Sequence, residues 1–340
     1  MAKRGGDGRT PELSTRAVII GVLCAVALAV GSWAIDTYGG QGILPAWSEF
    51  YEFFGIDSDS YVSQTPQEGQ AVVTFWDVGQ GDSVLIASGG SYCLIDAGTQ
   101  QSADTLVDDL WATGVQKLDL VVMTHPHADH IGGMEDVLEN FEVGTLLLPD
   151  LSVADTESGL LARVLQAAQD TGTPCVQAEQ GWQQAVGEGT LTVLYAGLVP
   201  EDREDVNLND ISLCVRYELG KFSFLCTGDA EADAEEELVL TAAFDLPSTV
   251  FKAGHHGSNT SNTQTLLSVV NPQLAVVSCG LNNDYGHPHQ EVLDRFAQNG
   301  VEVWRTDEQG TIAVTGNADG SWQVTASSGA ETEEPLAPAA

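Results

Sequence analysis

All seven histidines of this 340-residue chain fall within three short segments, THPHADH, AGHHGS and YGHPH. In chain order they are His125, His127, His130, His255, His256, His287 and His289. The first segment also contains Asp129, so three imidazoles and one carboxylate lie within six residues. These groups are common ligands of transition metals, and such close spacing lets them converge on one site. The first segment therefore predicts a metal site rather than isolated core or surface histidines.

The residues around this segment predict how it is positioned. An apolar run with β-branched residues, residues 118–124, precedes it and is typical of a strand. The sequence IGGMEDVLEN follows, and it predicts a glycine-containing turn into a helix. Loops at the carboxyl ends of strands are where α/β proteins usually place their chemistry. We therefore expect the histidine segment to lie on a strand-to-helix loop.

The same patterns predict a folded domain over residues 71–326. Three strands joined by glycine turns are expected in AVVTFWDVGQGDSVLIASGGSYCLIDAG, followed by alternating strands and helices. A second β-rich half begins at ISLCVRYELGKFSFLCTGD, which predicts a hairpin around Leu219 and Gly220. Two successive β-rich units with covering helices imply an α/β fold of four layers, an αββα sandwich. Residues 36–70 are predicted to be a linker, and residues 327–340 a disordered acidic tail.

An uncharged apolar stretch lies near the amino terminus. Residues 17–35 contain no charged side chain and follow a basic segment that contains Lys3, Arg4, Arg9 and Arg16. This pattern predicts a transmembrane anchor, with a cleaved signal segment as the alternative. The positive flank predicts that residues 1–16 stay in the cytoplasm. The expected location is therefore the cell membrane, with a single span and the folded domain outside the cytoplasm, or secretion if the segment is cleaved.

The charge balance restricts the possible partners. The formal net charge is −37, with 12 Lys and Arg against 49 Asp and Glu. Such a surface repels polyanions at long range, which argues against tight binding of duplex DNA. Divalent metals at a local site can override that repulsion. The composition therefore disfavours a nuclease without excluding one.

Several ordered motifs resemble a known family. THPHADH, with LIDAG before it and LCTGDA after it, is similar to the metallo-β-lactamase superfamily. The segments WDVGQGDS, NDISL, KAGHHGS and NNDYGHPH occur in the order found in extracytoplasmic hydrolase domains of the ComEC type, which take part in DNA uptake. The resemblance covers roughly residues 71–326. It implies the αββα sandwich fold, with a metal cleft between the two sheets.

The resemblance also implies a set of metal ligands for two divalent ions, Zn²⁺ or Mn²⁺. That set is His125, His127, Asp129, His130, Asp229 and His287. It gives His125 and His127 to the first ion. It gives Asp129 and His130 to the second ion, and Asp229 would bridge the two. The alternative for Asp229 is a carboxylate that caps the following helix.

The resemblance implies three catalytic residues: Asp129, which is also in the ligand set, and the histidine pair His255 and His256. The histidine pair would contact substrate or protonate the leaving group. His287 would be the terminal ligand of the second ion. His255 is the alternative for that ligand. Either histidine pair could instead support the ligands by hydrogen bonding.

Asp82, Asn209 and Ser258 are candidates for substrate contact. Asp82 lies in a glycine turn that the resemblance places beside the metal cleft. Ser258 would either cap a helix that starts near Thr260 or bind a phosphate oxygen. Asn209 lies in NLNDIS, where most of the superfamily has a histidine ligand. Asparagine is a weak zinc ligand, so the first site would hold its ion loosely, prefer Mn²⁺ or complete its shell with water.

These observations predict an extracytoplasmic hydrolase that uses a metal-bound hydroxide, with a phosphodiester, and DNA in particular, as the expected substrate. One alternative keeps the enzyme and changes the substrate to a small ester, a thioester or a cyclic nucleotide. Another is a non-catalytic binding module at the cell surface. The expected partners are DNA or another phosphodiester, the membrane through the amino-terminal helix, and a separate DNA-uptake channel protein. The sequence does not determine the oligomeric state.

Overall fold

Two β-sheets stacked face to face form the centre of the computed structural model, which describes residues 65–197, 206–241 and 246–327. These residues belong to the second of two structural units, Tyr61–Ala340, and only this unit is described. The predicted cytoplasmic segment 1–16, the anchor 17–35, nearly all of the linker and the tail from residue 328 lie outside the described residues. Within the described ranges, no helix combines the length and apolar character needed to cross a bilayer.

The first sheet contains eight strands. They are β1 (Gln70–Phe75), β2 (Val84–Ser88), β3 (Ser91–Ile95), β5 (Leu120–Val122), β7 (Leu146–Leu148), β8 (Cys175–Gln177), β16 (Ile312–Asn317) and β17 (Trp322–Ala326). Their spatial order is β17-β16-β1-β2-β3-β5-β7-β8. The pairs from β17 to β3 are antiparallel, and those from β3 to β8 are parallel. The three strands predicted between residues 71 and 98 are confirmed.

The second sheet contains seven strands. They are β9 (Gln183–Val186), β10 (Gly189–Tyr195), β11 (Cys214–Leu219), β12 (Phe222–Cys226), β13 (Val250–Lys252), β14 (Leu274–Val277) and β15 (Glu302–Arg305). They follow one another in space, antiparallel from β9 to β12 and parallel from β12 to β15. The predicted hairpin is confirmed, because Leu219 pairs with Phe222 across its turn. A small parallel pair is formed by β4 (Lys117–Leu118) and β6 (Glu142–Val143).

Helices cover the outer face of each sheet. Those that bury apolar residues on the first sheet are α1 (Ala103–Ala112), α3 (Met134–Asn140) and α4 (Gly159–Thr171). Those that cover the second sheet are α5 (Ala232–Thr241), α6 (Gln264–Val270) and α7 (Gln290–Gln298). The short helices α2 (Ala128–Ile131) and α8 (Thr306–Gln309) follow β5 and β15, and 3₁₀ turns occur at Gln100–Ser102, Leu151–Val153 and Gly254–Gly257.

Alternation of apolar side chains explains the four layers. In β12, Phe222 and Phe224 enter the core between the sheets, whereas Leu225 packs under the second helix layer. In β2, Ile86 faces the second sheet, and Leu85 faces the helices that cover the first sheet. Successive strand residues point to opposite faces, so a strand buried on both faces is apolar at every position. The predicted αββα sandwich is confirmed for the described residues.

Candidate metal centre

The predicted site residues lie on loops at the carboxyl ends of strands. THPHADH follows β5, Asp229 follows β12, and the 3₁₀ turn with His255 and His256 follows β13. Contacts between these loops bring the carboxyl ends of strands from the first sheet close to the carboxyl ends of strands from the second. The strand-to-helix position predicted for THPHADH is confirmed, because helix α2 begins at Ala128.

Four buried side chains form the centre of the site. One ligand atom from each of Asp82, His130, Asp229 and His256 lies within 4.8 Å of all the others. Asp229 Oδ2 lies 3.2 Å from His130 Nε2 and 3.5 Å from His256 Nε2. Each of the four residues is less than one-tenth exposed. Two imidazoles therefore face one carboxylate in a space from which bulk water is largely excluded.

Hydrogen bonds on the far side of each ring orient these two histidines. His130 Nδ1 lies 2.8 Å from Asp96 Oδ2, and Asp96 also accepts hydrogen bonds from the amide and hydroxyl of Thr124. His256 Nδ1 donates to the carbonyl oxygen of Ser278 at 3.0 Å. A neutral imidazole that donates from Nδ1 carries its lone pair on Nε2. Both Nε2 atoms are thereby directed toward Asp229.

The polar atoms at the centre are suited to a metal ion. His130 Nε2, His256 Nε2 and Asp229 Oδ1 are buried without a hydrogen-bond partner, and so is Asn209 Oδ1. Buried polar atoms in folded proteins are almost always paired, so a convergent group of unpaired ones needs an explanation. Imidazole nitrogens and carboxylate oxygens are the donors that Zn²⁺ and Mn²⁺ accept. The residues present therefore fit a divalent transition metal.

The first two histidines of THPHADH lie at the margin of this group. His125 Nε2 is 3.0 Å from His127 Nδ1 and 3.9 Å from Asp229 Oδ2, while His125 Nδ1 is 3.1 Å from the Thr124 hydroxyl. On the other side, Asp129 Oδ2 lies 3.3 Å from His256 Nε2. The possible metal-ligand atoms therefore form a continuous group that runs from His127 through Asp229 to Asp129.

The electrostatics of the site follow from burial and from charges brought close together. Burial and then His130 lower the pKa of His125 well below its usual value. Burial opposes the charged forms of His130 and His256, but the neighbouring carboxylates together outweigh it, Asp229 with Asp96 for His130 and Asp229 with Asp82 for His256. The pKa of His130 is raised well above its usual value, and that of His256 is raised to about 9. Protonated imidazoles therefore balance the buried carboxylates of the metal-free protein.

Within the four-residue group, Asp82 also pairs with Lys252. Its Oδ2 contacts the Lys252 ammonium, and its Oδ1 lies 3.2 Å from His256 Nδ1. Asp82 is 2% exposed and Lys252 is fully buried. Burial opposes ionisation of Asp82, but Lys252 and then His256 lower its pKa to about 2. The sequence predicted that Asp82 contacts substrate, and the structure instead surrounds it with side chains of the protein.

The centre forms one wall of an open cleft of about 260 Å³. The residues that line it are Gln80, His127, Asp129, Asn209, Asp229, His255, His256, Tyr285 and His287. Asn209 is held there by a hydrogen bond from its Nδ2 to Glu231 Oε1, 3.0 Å long. Most of the residues predicted from the sequence thus meet at one cleft.

His256 and His287 lie in different surroundings. His256 belongs to the four-residue group, whereas the His287 ring has its Nδ1 3.4 Å from Gln80 Nε2. Burial, followed by His256 and His255, lowers the pKa of His287 to about 4. His287 therefore lines the cleft as a neutral ring, outside the four-residue group.

Ser258 is not a helix cap in this structure. Helix α6 begins at Gln264, and the Thr263 hydroxyl accepts the capping hydrogen bond from Leu266 N. Ser258 is 3% exposed, and its hydroxyl lies 3.0 Å from the Thr260 hydroxyl. The cap predicted near Thr260 is therefore wrong, because an irregular turn occupies residues 258–262 ahead of the helix.

The backbone at three site residues is left-handed. The φ angles are 57° for Asp96, 49° for His255 and 52° for His256. Residues other than glycine seldom adopt such angles, and the cost is typically about 1–3 kcal/mol per residue. In the second case, the amide of His255 donates to Gly228 O at 3.1 Å, which ties the turn to the loop with Asp229. Strain concentrated at these positions is typical of functional sites.

Asp96, Gln80 and Lys252 were not predicted as site residues, although Lys252 lies in the motif KAGHHGS. Asp96 is the carboxylate of LIDAG and Gln80 belongs to WDVGQGDS, so both lie in segments that carried the family resemblance. That resemblance was the available signal. Tyr285 also lies in such a segment, NNDYGHPH.

Comparison with known proteins identifies the relatives of this chain. The profile of the metallo-beta-lactamase superfamily matches residues 76–281. The "Competence protein ComA" of Neisseria gonorrhoeae is 34% identical over 254 residues, which are 74% of this chain and 33% of that protein. The "ComE operon protein 3" of Bacillus subtilis is 32% identical over 254 residues, 69% of this chain and 32% of that protein. The chain thus spans about a third of the length of these curated relatives.

Among solved structures, one match is to the metallo-beta-lactamase fold protein YhfI of Bacillus subtilis. Its TM-score is 0.48 at 13% sequence identity, and the match covers 71% of this chain and 98% of that one.

Proposed function

The chain belongs to the metallo-beta-lactamase superfamily and has the metal-dependent hydrolase fold of that superfamily, and on this premise we propose that it is a phosphodiesterase that cleaves DNA. The observation that carries the proposal is the buried group of Asp82, His130, Asp229 and His256, whose ligand atoms converge beside an open cleft. A cleft of this kind gives a substrate access to a site that fits divalent metal.

We assign two metal ions to the cleft, Zn²⁺ or Mn²⁺. His125 and His127 would hold one ion, and His130 and His256 the other, with Asp229 between them. His256 replaces His287 in this assignment because its Nε2 lies 3.5 Å from Asp229 Oδ2. Divalent ions lower the pKa of bound water and stabilise charge on the leaving oxygen. The weak ligand Asn209 favours Mn²⁺ at the first position.

His255 is the residue that we assign to proton exchange with the substrate. Its side chain is 21% exposed at the cleft, compared with 2% for His256. Its Nδ1 lies 3.0 Å from the Thr260 hydroxyl, which leaves Nε2 directed toward Asp229 at 3.7 Å. Burial lowers the pKa of His255, so the neutral ring at neutral pH can accept a proton. Asp129 lines the same cleft, and its Oδ2 contacts His256 Nε2 at 3.3 Å.

DNA is proposed as the substrate because one relative, from Neisseria gonorrhoeae, is named "Competence protein ComA". A membrane-anchored protein with its catalytic domain outside the cytoplasm would meet incoming DNA beside a separate uptake channel. The support for this location is the uncharged stretch 17–35 after a basic segment.

The proposal is tested with the purified chain, first by elemental analysis for bound metal and then by cleavage of end-labelled single-stranded DNA with added Mn²⁺ or Zn²⁺. His127→Ala and Asp229→Ala should each abolish cleavage while circular dichroism stays close to that of the wild type. Asp104→Ala, an exposed carboxylate on helix α1, is the matched control and should remain active. Full activity in either site variant would refute the metal assignment.

A small phosphodiester is a second candidate substrate. No lysine or arginine lines the cleft among the described residues, and Lys252 beneath it is fully buried. A long polyanion gains most of its affinity from such cations, whereas a small diester depends mainly on the metal. Bound metal with hydrolysis of a cyclic dinucleotide but not of DNA would favour this second candidate.

A further inference from the structure

Two large apolar side chains are exposed on the loop between β14 and α7. Tyr285 is 68% exposed and Leu281 is 72% exposed. Tyr285 lines the cleft beside the metal centre, and its ring stacks on that of His287 with centroids 5.6 Å apart and an interplanar angle of 23°. The remaining surface of the tyrosine ring is open to solvent at the rim of the cleft.

Hydrogen bonds within the loop order the backbone that carries this ring, and the ring itself packs on His287. Asn283 Oδ1 accepts from the amides of Tyr285 and His287, and Asn283 Nδ2 donates to the carbonyl of Gly280 at 2.9 Å. Gln80, from the loop after β1, accepts from Gly280 N at 3.0 Å and reaches His287 Nδ1 at 3.4 Å. A ring held in advance loses little conformational entropy when a ligand stacks on it.

The charge of the molecule increases the need for such a contact. The net charge is −37, and no basic side chain lines the described cleft. A nucleic acid therefore gains little from phosphate contacts other than those to metal. Stacking on aromatic rings is the other general source of affinity for single strands, and it tolerates any base sequence.

We propose that Tyr285 is a stacking site for a nucleobase of a single-stranded substrate. The inference rests on the proposed nuclease function and specifies its substrate class. Bases in a duplex are stacked on one another and are not free to cover the tyrosine ring, so single-stranded segments are the preferred ligand.

The test compares two fluorescent oligonucleotides of equal length, oligo(dT) and an abasic analogue. Their binding to the full-length chain is measured by anisotropy, with Ca²⁺ in place of Mn²⁺ to prevent cleavage. We expect oligo(dT) to bind about tenfold more tightly than the abasic analogue. Tyr285→Ala should reduce this ratio to about one, whereas Tyr285→Phe, which keeps the ring, should retain it. Leu240→Ser removes an exposed apolar side chain outside the cleft and serves as the control.

The outcomes separate this inference from the nuclease proposal. A ratio that depends on Tyr285 supports the stacking site, even if the wild type then fails to cleave DNA with Mn²⁺. Equal affinity for the two oligonucleotides, or a ratio that Tyr285→Ala leaves unchanged, overturns it, even if DNA is cleaved. An equal loss of affinity for both oligonucleotides in Tyr285→Ala would also overturn it, because the tyrosine would then act only through His287.

Discussion

Asp82 and Lys252 form an ion pair at the candidate metal centre, with no appreciable exposure to water. Asp82 also contacts His256, so the pair connects strand β13 to the ring that faces Asp229. Removing one member of a buried pair leaves an uncompensated charge in a region of low polarity. The pair is therefore a structural requirement of the site as well as part of its charge balance.

Lys252→Met is expected to lower the free energy of unfolding by about 3–5 kcal/mol, because the Asp82 carboxylate loses its buried partner. The double variant Asp82→Asn/Lys252→Met removes both charges and should recover part of that loss. Urea denaturation of the metal-free proteins gives the comparison. A double variant less stable than Lys252→Met would contradict this account.

Asp96 acts on the metal centre through His130, since its Oδ2 lies 2.8 Å from His130 Nδ1. Asp96→Asn keeps the shape of the side chain but removes its charge and one acceptor. Loss of such a supporting carboxylate typically lowers metal affinity by about 10- to 100-fold. Competition titration with a chromogenic chelator measures the change for Mn²⁺ and Zn²⁺. Asp104→Asn, an exposed carboxylate, is the control, and equal affinities for the two variants would refute the role of Asp96.

Helix α5 is connected to the histidine turn through a buried carboxylate. Glu235 accepts hydrogen bonds from Asn262 N at 2.6 Å and from Thr263 N at 2.8 Å. The Asn262 side chain in turn binds both the amide and the carbonyl of Gly254, at the start of the turn with His255. The helix layer of the second sheet therefore holds the strained turn in place.

Glu235→Ala should lower the free energy of unfolding by about 2–5 kcal/mol, because two buried amides lose their acceptor. It should also weaken metal binding, since the Gly254–Gly257 turn loses its anchor. Glu236→Ala, at the exposed neighbouring position on the same helix, is the matched control and should change stability by less than about 0.5 kcal/mol. Urea unfolding and metal titration of both variants provide the measurements. Similar stabilities would show that the Glu235 contacts do not hold the turn.

The acidic charge of the whole chain should govern its response to salt. With a net charge of −37, repulsion of a DNA strand extends over the Debye length, about 30 Å at 0.01 M salt and about 8 Å at 0.15 M. Screening of this repulsion should lower KM for a DNA oligonucleotide as NaCl rises over that range. Initial rates at fixed Mn²⁺ measure the effect. A steep rise in KM would instead indicate a basic track for the phosphate backbone.

Local pattern was sufficient to predict much of this protein. Alternating apolar residues predicted the strands, because a strand buried on both faces is recognisable from a few neighbouring residues. THPHADH predicted the metal site, because its donors lie within one loop. The motif order carried the resemblance to the superfamily, to which residues 76–281 match.

Only the tertiary structure decided which distant residues meet. The sequence gives Asp82 no partner, and sheet order places it against Lys252 from the other sheet. The sequence predicts His287 as the terminal ligand of the second ion, whereas the left-handed turn after β13 directs His256 to Asp229 and His287 stays at the cleft wall. Such contacts depend on how strands from separate sheets align, and local periodicity contains no information about that alignment.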